Sequence, residues 1–352
     1  MAGNTSPGVA GSGIFNHFMD RILITGASGF IGSFLVEAGL NRGYDVYAGV
    51  RKTSSREYLK DDRIRFLDLD FSSRSSLARS LEECKRNGIR FRYIIHNAGL
   101  TKARKKEDFH RVNCLNTIHF VEALIETGMV PEKFLLTSSL AAYGPGDPKT
   151  GRPVLLSDTP RPIELYGKSK LEAERYLTSR EDFPWVIIRP TGVYGPREKD
   201  YFVFFQTISR GLEPYIGFEK QTLTFIYVRD LVRAAFLALE SAHIRKGWFV
   251  ADGREYSSQE FAAITKRVLG KKTLRFTVPL FLVRAIAVTA ETVASLWGSI
   301  PTLNTDKYNV LKSTNWRCET EPLENDLGFR AEYDLEKGVA EAIAWYKKEK
   351  WL

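Results

Sequence analysis

The sequence predicts an α/β fold: a doubly wound parallel sheet with a smaller α+β region interleaved toward the C-terminus. Three observations predict it. Short apolar runs alternate with helical patterns from about residue 21 to residue 190, the rhythm of a parallel sheet covered on both faces. The first apolar run ends in a glycine turn, ITGASGFIG over residues 24–32, that opens directly onto a helical pattern. After Pro190 the rhythm breaks.

In order along the chain, RILIT (Arg21 to Thr25) reads as the first strand. The segment after the turn carries Ile31, Leu35, Val36 and Leu40 at helical spacing and stops at Gly43. Tyr44 to Val50 is the second strand. The glycines therefore join a strand to a helix with a strand after it, the context a dinucleotide turn requires and the start of a Rossmann-like sheet. Further strands fall at Ile64 to Leu67, Tyr93 to His96, Lys133 to Thr137 and Trp185 to Arg189. Helical patterns lie between them at about 73–87, 107–127 and 164–178. Beyond Pro190 come a helix at 202–210, a strand at 223–228, a helix at 230–241, a strand at 247–250 and a helix at 258–269, with Ser257 and Ser258 both good caps. The division expected is a flexible lead over 1–19, a dinucleotide-binding domain over 20–190 and a mainly substrate-binding region over 191–352. Segments at about 223–242 are expected to return to the main sheet. The apolar stretch Leu280 to Trp297 has the length of a membrane span, but Arg284 and Glu291 interrupt it; it reads as an amphipathic helix, lid or core, of a soluble protein.

With 352 residues, 43% hydrophobic and 26% charged, the composition is that of an ordinary globular protein with a real core. The 51 basic and 42 acidic residues leave +9, spread over the whole chain. The densest run, KARKK (Lys102 to Lys106), is too short for a nucleic-acid arm and reads as a solvated loop beside an anionic cofactor, so no nucleic-acid partner is expected. Cys84, Cys114 and Cys318 are odd in number and far apart, which supports neither a disulfide framework nor a zinc site. No metal is expected, and reduced thiols fit a cytoplasmic location. The first residues lack the apolar core of a signal peptide.

The glycine turn reads as a phosphate cradle built from Gly26, Ser28, Gly29, Phe30, Ile31 and Gly32. Gly26 turns the chain after the strand, Gly29 removes a Cβ where backbone approaches pyrophosphate, and Gly32 lets the helix pack close. The helix N-terminus then offers N–H groups to the diphosphate. At the end of the second strand a carboxylate would select NAD. Here VRKTSS supplies Arg51 and Lys52 instead, which suit a 2′-phosphate; NADP is favoured, with NAD the alternative. Asp68 and Leu69 stand where the adenine would lie. Y-x-x-x-K puts a phenol and an ammonium on one helix face, where the charge is expected to lower the phenol's pKa. The motif occurs at Tyr166/Lys170, Tyr308/Lys312 and Tyr346/Lys350. Position favours the first, because it follows a strand that ends in SSLAAYG, Ser138 to Gly144; the other two read as surface pairs.

Taken together, GASGFIG, HNAG (His96 to Gly99), Asn113, TSSLAAYG, YGKSK (Tyr166 to Lys170), RPTGVYGP (Arg189 to Pro196) and FIYVRDLVRA (Phe225 to Ala234) resemble the extended short-chain dehydrogenase/reductases of the NAD-dependent epimerase/dehydratase family. The resemblance covers about residues 20 to 350. It implies that Ser139 is the active-site serine, with Ser138 the runner-up, that Tyr166 is the acid/base, and that Lys170 is its partner and holds the nicotinamide ribose. It implies that Ala98, Gly99, Pro190 and Val193 border the cofactor, that Asn113 is structural, and that the chain forms a homodimer through the helices at 107–127 and 164–178. The function implied is hydride exchange between nicotinamide C4 and a small-molecule secondary alcohol or carbonyl. A nucleotide-sugar epimerase or dehydratase is the alternative within the family, and a redox-sensing NADP-binding module the alternative outside catalysis.

Overall fold

The computed structural model describes residues 20–297 and 303–352, so the expected lead over 1–19 lies outside it. The first half runs β1 (Arg21–Thr25), α1 (Phe30–Asn41), β2 (Asp45–Val50), β3 (Arg65–Asp68), α2 (Arg74–Arg86), β4 (Tyr93–His96), α3 (Glu107–Phe109), α4 (Asn116–Glu126), β5 (Lys133–Thr137), α5 (Leu165–Thr178) and β6 (Trp185–Pro190). A π-helical stretch, His110–Leu115, joins α3 to α4 inside what the sequence periodicity reads as one helix. The second half runs β7 (Gly192–Tyr194), α6 (Asp200–Ser209), β8 (Leu212–Ile216), β9 (Thr222–Leu223), β10 (Phe225–Tyr227), α7 (Val228–Glu240), β11 (Lys246–Val250), β12 (Tyr256–Ser257), α8 (Ser258–Leu269), β13 (Leu274–Val278), α9 (Leu280–Trp297), α10 (Thr305–Lys312), β14 (Asn315–Trp316), α11 (Glu321–Leu327) and α12 (Leu335–Lys348).

The central sheet has the order β11-β6-β5-β4-β1-β2-β3, and every pairing in it is parallel. The strands are apolar on both faces because helices cover both. Ile22 and Ile24 point into a core built with Val36, Phe236 and Val339, whereas Leu23 between them points to Leu81, Phe120 and Leu124. Strand order reverses between β1 and β4, which opens a crevice at the carboxyl ends of the strands there.

Four expectations are corrected. The segment about 223–242 does not supply the strand that returns to the sheet. Phe225–Tyr227 pairs with β7 in a separate small sheet, Val228 already begins α7, and the returning strand is Lys246–Val250. Pairing β11 with β6 buries Trp248, Phe249 and Val250 at once, which settles the competition for that edge. The stretch Leu280–Trp297 is an amphipathic helix, as expected, but it is not core. Val283, Ala287 and Ala294 are its buried residues among those described, and Phe281, Leu282, Ile286, Val288 and Val293 are exposed. Tyr346, read as half of a surface pair, is fully buried and donates to the carbonyls of Gly195 at 2.8 Å and Glu198 at 2.7 Å; the helix ends at Lys348, so Lys350 is not on its face. Ser257, not Ser258, caps α8, in a reciprocal box with Glu260.

Candidate active site

Parallel pairing carries the strand ends to one edge, and the residues singled out from the sequence stand along it. Gly26 to Gly32 follow β1, Arg51 and Lys52 follow β2, and Asp68 and Leu69 close β3. Ala98 and Gly99 follow β4, Ser139 follows β5, and Pro190 and Val193 lie at β6 and β7. Gly26 has φ of 65°, and a Cβ there would stand 2.8 Å from Ala98 Cα. A Cβ on Gly32 would fall 2.0 Å from the Gly26 carbonyl oxygen, so α1 sits directly on the turn. Gly29 is the N-cap of α1; no side chain caps this end and no acid lies in its first turn, so its N–H donors and partial positive charge suit an anion. Lys52 Nζ lies 3.7 Å from Asp68 Oδ2, and Arg51 is exposed.

The catalytic candidates are assembled by a second close approach. Ser139 caps the short turn Leu140–Ala142, its Oγ accepting from Ala141 N at 3.1 Å. Helix α5 lies against this turn because residue 167 is glycine: a Cβ there would stand 2.1 Å from the Ala141 carbonyl oxygen. That seating sets the Tyr166 hydroxyl beside Ser139. One turn on, buried Lys170 donates from Nζ to the Thr137 carbonyl at 2.8 Å. A Cβ on Gly99 would lie 3.2 Å from Lys170 Nζ and 2.9 Å from Asn113 Oδ1. Asn113 accepts from Leu100 N at 2.7 Å and donates to Ser169 Oγ at 3.0 Å, pinning the loop after β4 to α5. The π-helical stretch turns Asn113 inward for this.

Electrostatics correct one detail of the sequence reading. The Tyr166 phenol stands above its ordinary value, not below it. Burial pushes Tyr166 up to about 12, the Ser139 hydrogen bond works the other way, and the charge of Glu164 adds to the rise. Burial also brings Lys170 down to about 8, against the attraction of Glu174. Glu164, at the N-cap of α5, was not signalled by any motif. Burial raises it to about 7, Lys307 opposes the rise and Asp306 adds to it. Asp306 itself accepts from Leu165 N at 3.3 Å, so α10 reaches back to the start of the catalytic helix from 140 residues further along the chain. His96 is wholly buried, bonded to Thr25 Oγ1 at 2.8 Å and Thr117 Oγ1 at 3.1 Å; burial and then the Lys170 charge drive it down to about 3, so it is a neutral cross-link.

A dinucleotide fits these residues. The uncapped N-terminus of α1 stands at the crevice, and the turn before it owes its shape to glycine. Thr137 Oγ1 and Ser138 Oγ, at the end of β5, are buried with no partner among the described residues. The sequence model of the NAD-dependent epimerase/dehydratase family matches residues 22–249.

The chain belongs to that family.

It is accordingly an NAD(P)-dependent enzyme of the extended short-chain dehydrogenase/reductase type. A ceramide reductase of Caulobacter vibrioides is 26% identical over 341 residues, covering 94% of this chain and 96% of the relative. A human sterol-4-alpha-carboxylate 3-dehydrogenase (decarboxylating) is 30% identical over 231 residues, 62% of this chain and 57% of that protein. Among solved structures, a UDP-glucose 4-epimerase of Thermotoga maritima bound to UDP-glucose matches with a TM-score of 0.75 at 22% identity, over 94% of this chain and 99% of the other.

Proposed function

We propose that this chain is an NADP-preferring oxidoreductase that interconverts a secondary alcohol and its carbonyl on a mostly apolar substrate. The observation that carries the substrate class is where the cations go. Arg197, Lys199 and Arg210 are the cations nearest in sequence to grip a sugar nucleotide's diphosphate. Arg197 is spent on α1, donating to Ser33 Oγ at 2.8 Å and Glu37 Oε1 at 2.6 Å with Phe34 and Tyr58 beneath it. Lys199 lies 5.8 Å from the Trp351 ring, and Arg210 is exposed beyond α6. Before β10, where nucleotide-sugar enzymes of the family usually carry an arginine, Leu223 pairs in a sheet and Thr224 donates to the Trp316 carbonyl at 2.7 Å. A buried diphosphate without cationic partners is costly. The relatives named for ceramide and sterol carboxylate agree with this reading.

The bound nicotinamide supplies or accepts the hydride. The rest belongs to the chain. Tyr166, a phenol at neutral pH, donates its proton to the substrate carbonyl oxygen, and the Ser139 hydroxyl holds that oxygen. Lys170, fixed on Thr137, is placed to hold the nicotinamide ribose. Gly26, Ser28, Gly29, Phe30, Ile31 and Gly32 cradle the pyrophosphate, and Arg51 and Lys52 take the 2′-phosphate. Asp68 and Leu69 border the adenine; Ala98, Gly99, Pro190 and Val193 line the nicotinamide half. The family resemblance supports a homodimer through α4 and α5, which light scattering checks. Buried, unpaired Cys84, Cys114 and Cys318 fit a reducing cytoplasm.

Two measurements test the proposal. Calorimetry is expected to give tighter binding of NADP(H) than NAD(H), with Arg51→Asp moving the preference toward NAD; equal or tighter NAD binding by the unmodified chain rejects the cofactor choice. Cofactor absorbance is expected to change with apolar ketones or secondary alcohols. Thermal stabilisation of the cofactor-bound chain by sub-millimolar UDP, GDP or dTDP would instead favour the nucleotide-sugar epimerase or dehydratase reading.

A further inference from the structure

We infer that the chain docks peripherally on an anionic lipid bilayer through the outward face of the β8–β13 ribbon and the first turns of α9. The ribbon is built inside out for a soluble surface. β8 and β13 pair in parallel, Leu212 opposite Leu274 and Pro214 opposite Phe276. Their inner face is polar: Glu213 is buried and bonded to Lys266 Nζ at 2.7 Å and to the Tyr215 hydroxyl at 2.5 Å. Alternation then sends Leu212, Leu274 and Phe276 to solvent. More exposed apolar side chains stand where the ribbon meets α9. Gly217 N donates to the Val278 carbonyl at 2.9 Å, and a Cβ on Gly217 would lie 3.2 Å from Leu280 Cγ, so the end of β8 abuts the start of α9. Phe218 and Phe281 stand there 82% and 75% exposed, and Leu274 at the far end is 70% exposed. Scattered single hydrophobes need no explanation, but a face of this kind marks an interaction surface.

Charge selects the occupant. Arg210, Lys271, Lys272 and Arg284 fringe the face, all exposed and with no ion pair among the described residues. Glu219 is the exposed acid beside Phe218. Apolar side chains set within unpaired cations match the acyl boundary and headgroups of an anionic bilayer. A second copy of the same face would set these cations against themselves. Among the described residues no helix is long and apolar enough to cross a membrane, so the contact is with the surface. Helix α9 also runs from this face to the segment after β4, where Glu291 pairs with Lys106 at 3.0 Å.

The inference goes beyond the redox reading and stands whatever the substrate is. Its test is co-sedimentation of the full chain with vesicles of phosphatidylcholine alone and of phosphatidylcholine mixed with phosphatidylglycerol. The expected result is retention on the anionic vesicles only, weakened by salt. In F218S/F281S the partition is expected to fall about tenfold or more, as the loss of two inserted aromatic anchors implies. Lys271→Glu/Lys272→Glu is expected to weaken it as well. Thermal melting and turnover of a water-soluble carbonyl substrate stay unchanged in both, because these side chains are exposed and outside the site. Equal recovery in the supernatant with either vesicle overturns the inference. So does light scattering that shows a dimer which F218S/F281S dissociates, since a second copy then covers the face.

Discussion

At the residue scale, the proposed function turns on Tyr166, whose phenol burial pushes up to about 12. Tyr166→Phe is expected to leave cofactor affinity nearly intact and to lower turnover by about 10² or more, the usual scale for losing a positioned proton donor. In the oxidation direction the same group must act as a base, so the rate rises with pH. The ionised Glu164 carboxylate holds Tyr166 up, so Glu164→Gln is expected to move that rise to lower pH, read from kcat/KM profiles of alcohol oxidation. An unmoved profile would separate Glu164 from the catalytic phenol. The two other Y-x-x-x-K tyrosines now part company. Tyr308→Phe is expected to change little, since its ring is half-buried with Lys312 Nζ 5.8 Å away. Tyr346→Phe leaves two buried carbonyls without their donor and is expected to cost about 1–3 kcal/mol in chemical denaturation while kcat stays near normal. The pattern Y-x-x-x-K and the position that favours Tyr166 were legible in the sequence; that Tyr346 belongs to the core was decided by what it packs against.

At the element scale, two helices are seated by glycines. α1 sits on Gly26 through Gly32, and α5 sits on the serine turn through Gly167. Gly167→Ala would push α5 off Ala141 and separate Tyr166 from Ser139. Expected is a loss of about 10² in kcat/KM, the scale of a displacement near 1 Å, and a destabilisation of about 1–3 kcal/mol from overpacking. Tight binding of NADP(H) should survive, because the α1 turn is untouched; activity near that of the unmodified chain would mean that the turn yields without cost. Most elements of the first half were legible because strands β1, β2, β4, β5 and β6 are buried on both faces; edge strand β3, RFLD, is mostly exposed. The ribbon β8–β13 was not legible, because its alternation runs the opposite way, polar inward, and carries no signal that tells inside from outside. The π-helical stretch was equally hidden, since one extra residue per turn leaves the apolar spacing of 107–127 almost unchanged.

At the scale of the whole molecule, His96 joins three parts of the fold: its own strand β4, Thr25 at the end of β1, and Thr117 on α4. Its folded pKa, about 3, lies below its ordinary value. The stability it contributes is therefore complete above about pH 6.5 and is lost as pH falls from there toward 3, at about 1.4 kcal/mol per unit. Thermal melting is expected to fall through that window, and His96→Gln to lower the neutral-pH Tm while flattening the acid limb; an equally steep limb in the variant would assign the loss to other groups. The sequence by itself determined the sheet, the glycine turn, the pair Tyr166/Lys170 and the serine at the end of β5, because each is a local pattern: a period, a turn chemistry, or a spacing of one helical turn. The tertiary structure decided the rest. It decided that β11 and not β10 closes the sheet, that α10 reaches Leu165 beside Tyr166, that burial raises the Tyr166 phenol, and that Arg197 is bonded to α1. Each of these depends on groups far apart in the chain competing for one buried volume, and residue spacing does not record who wins that competition.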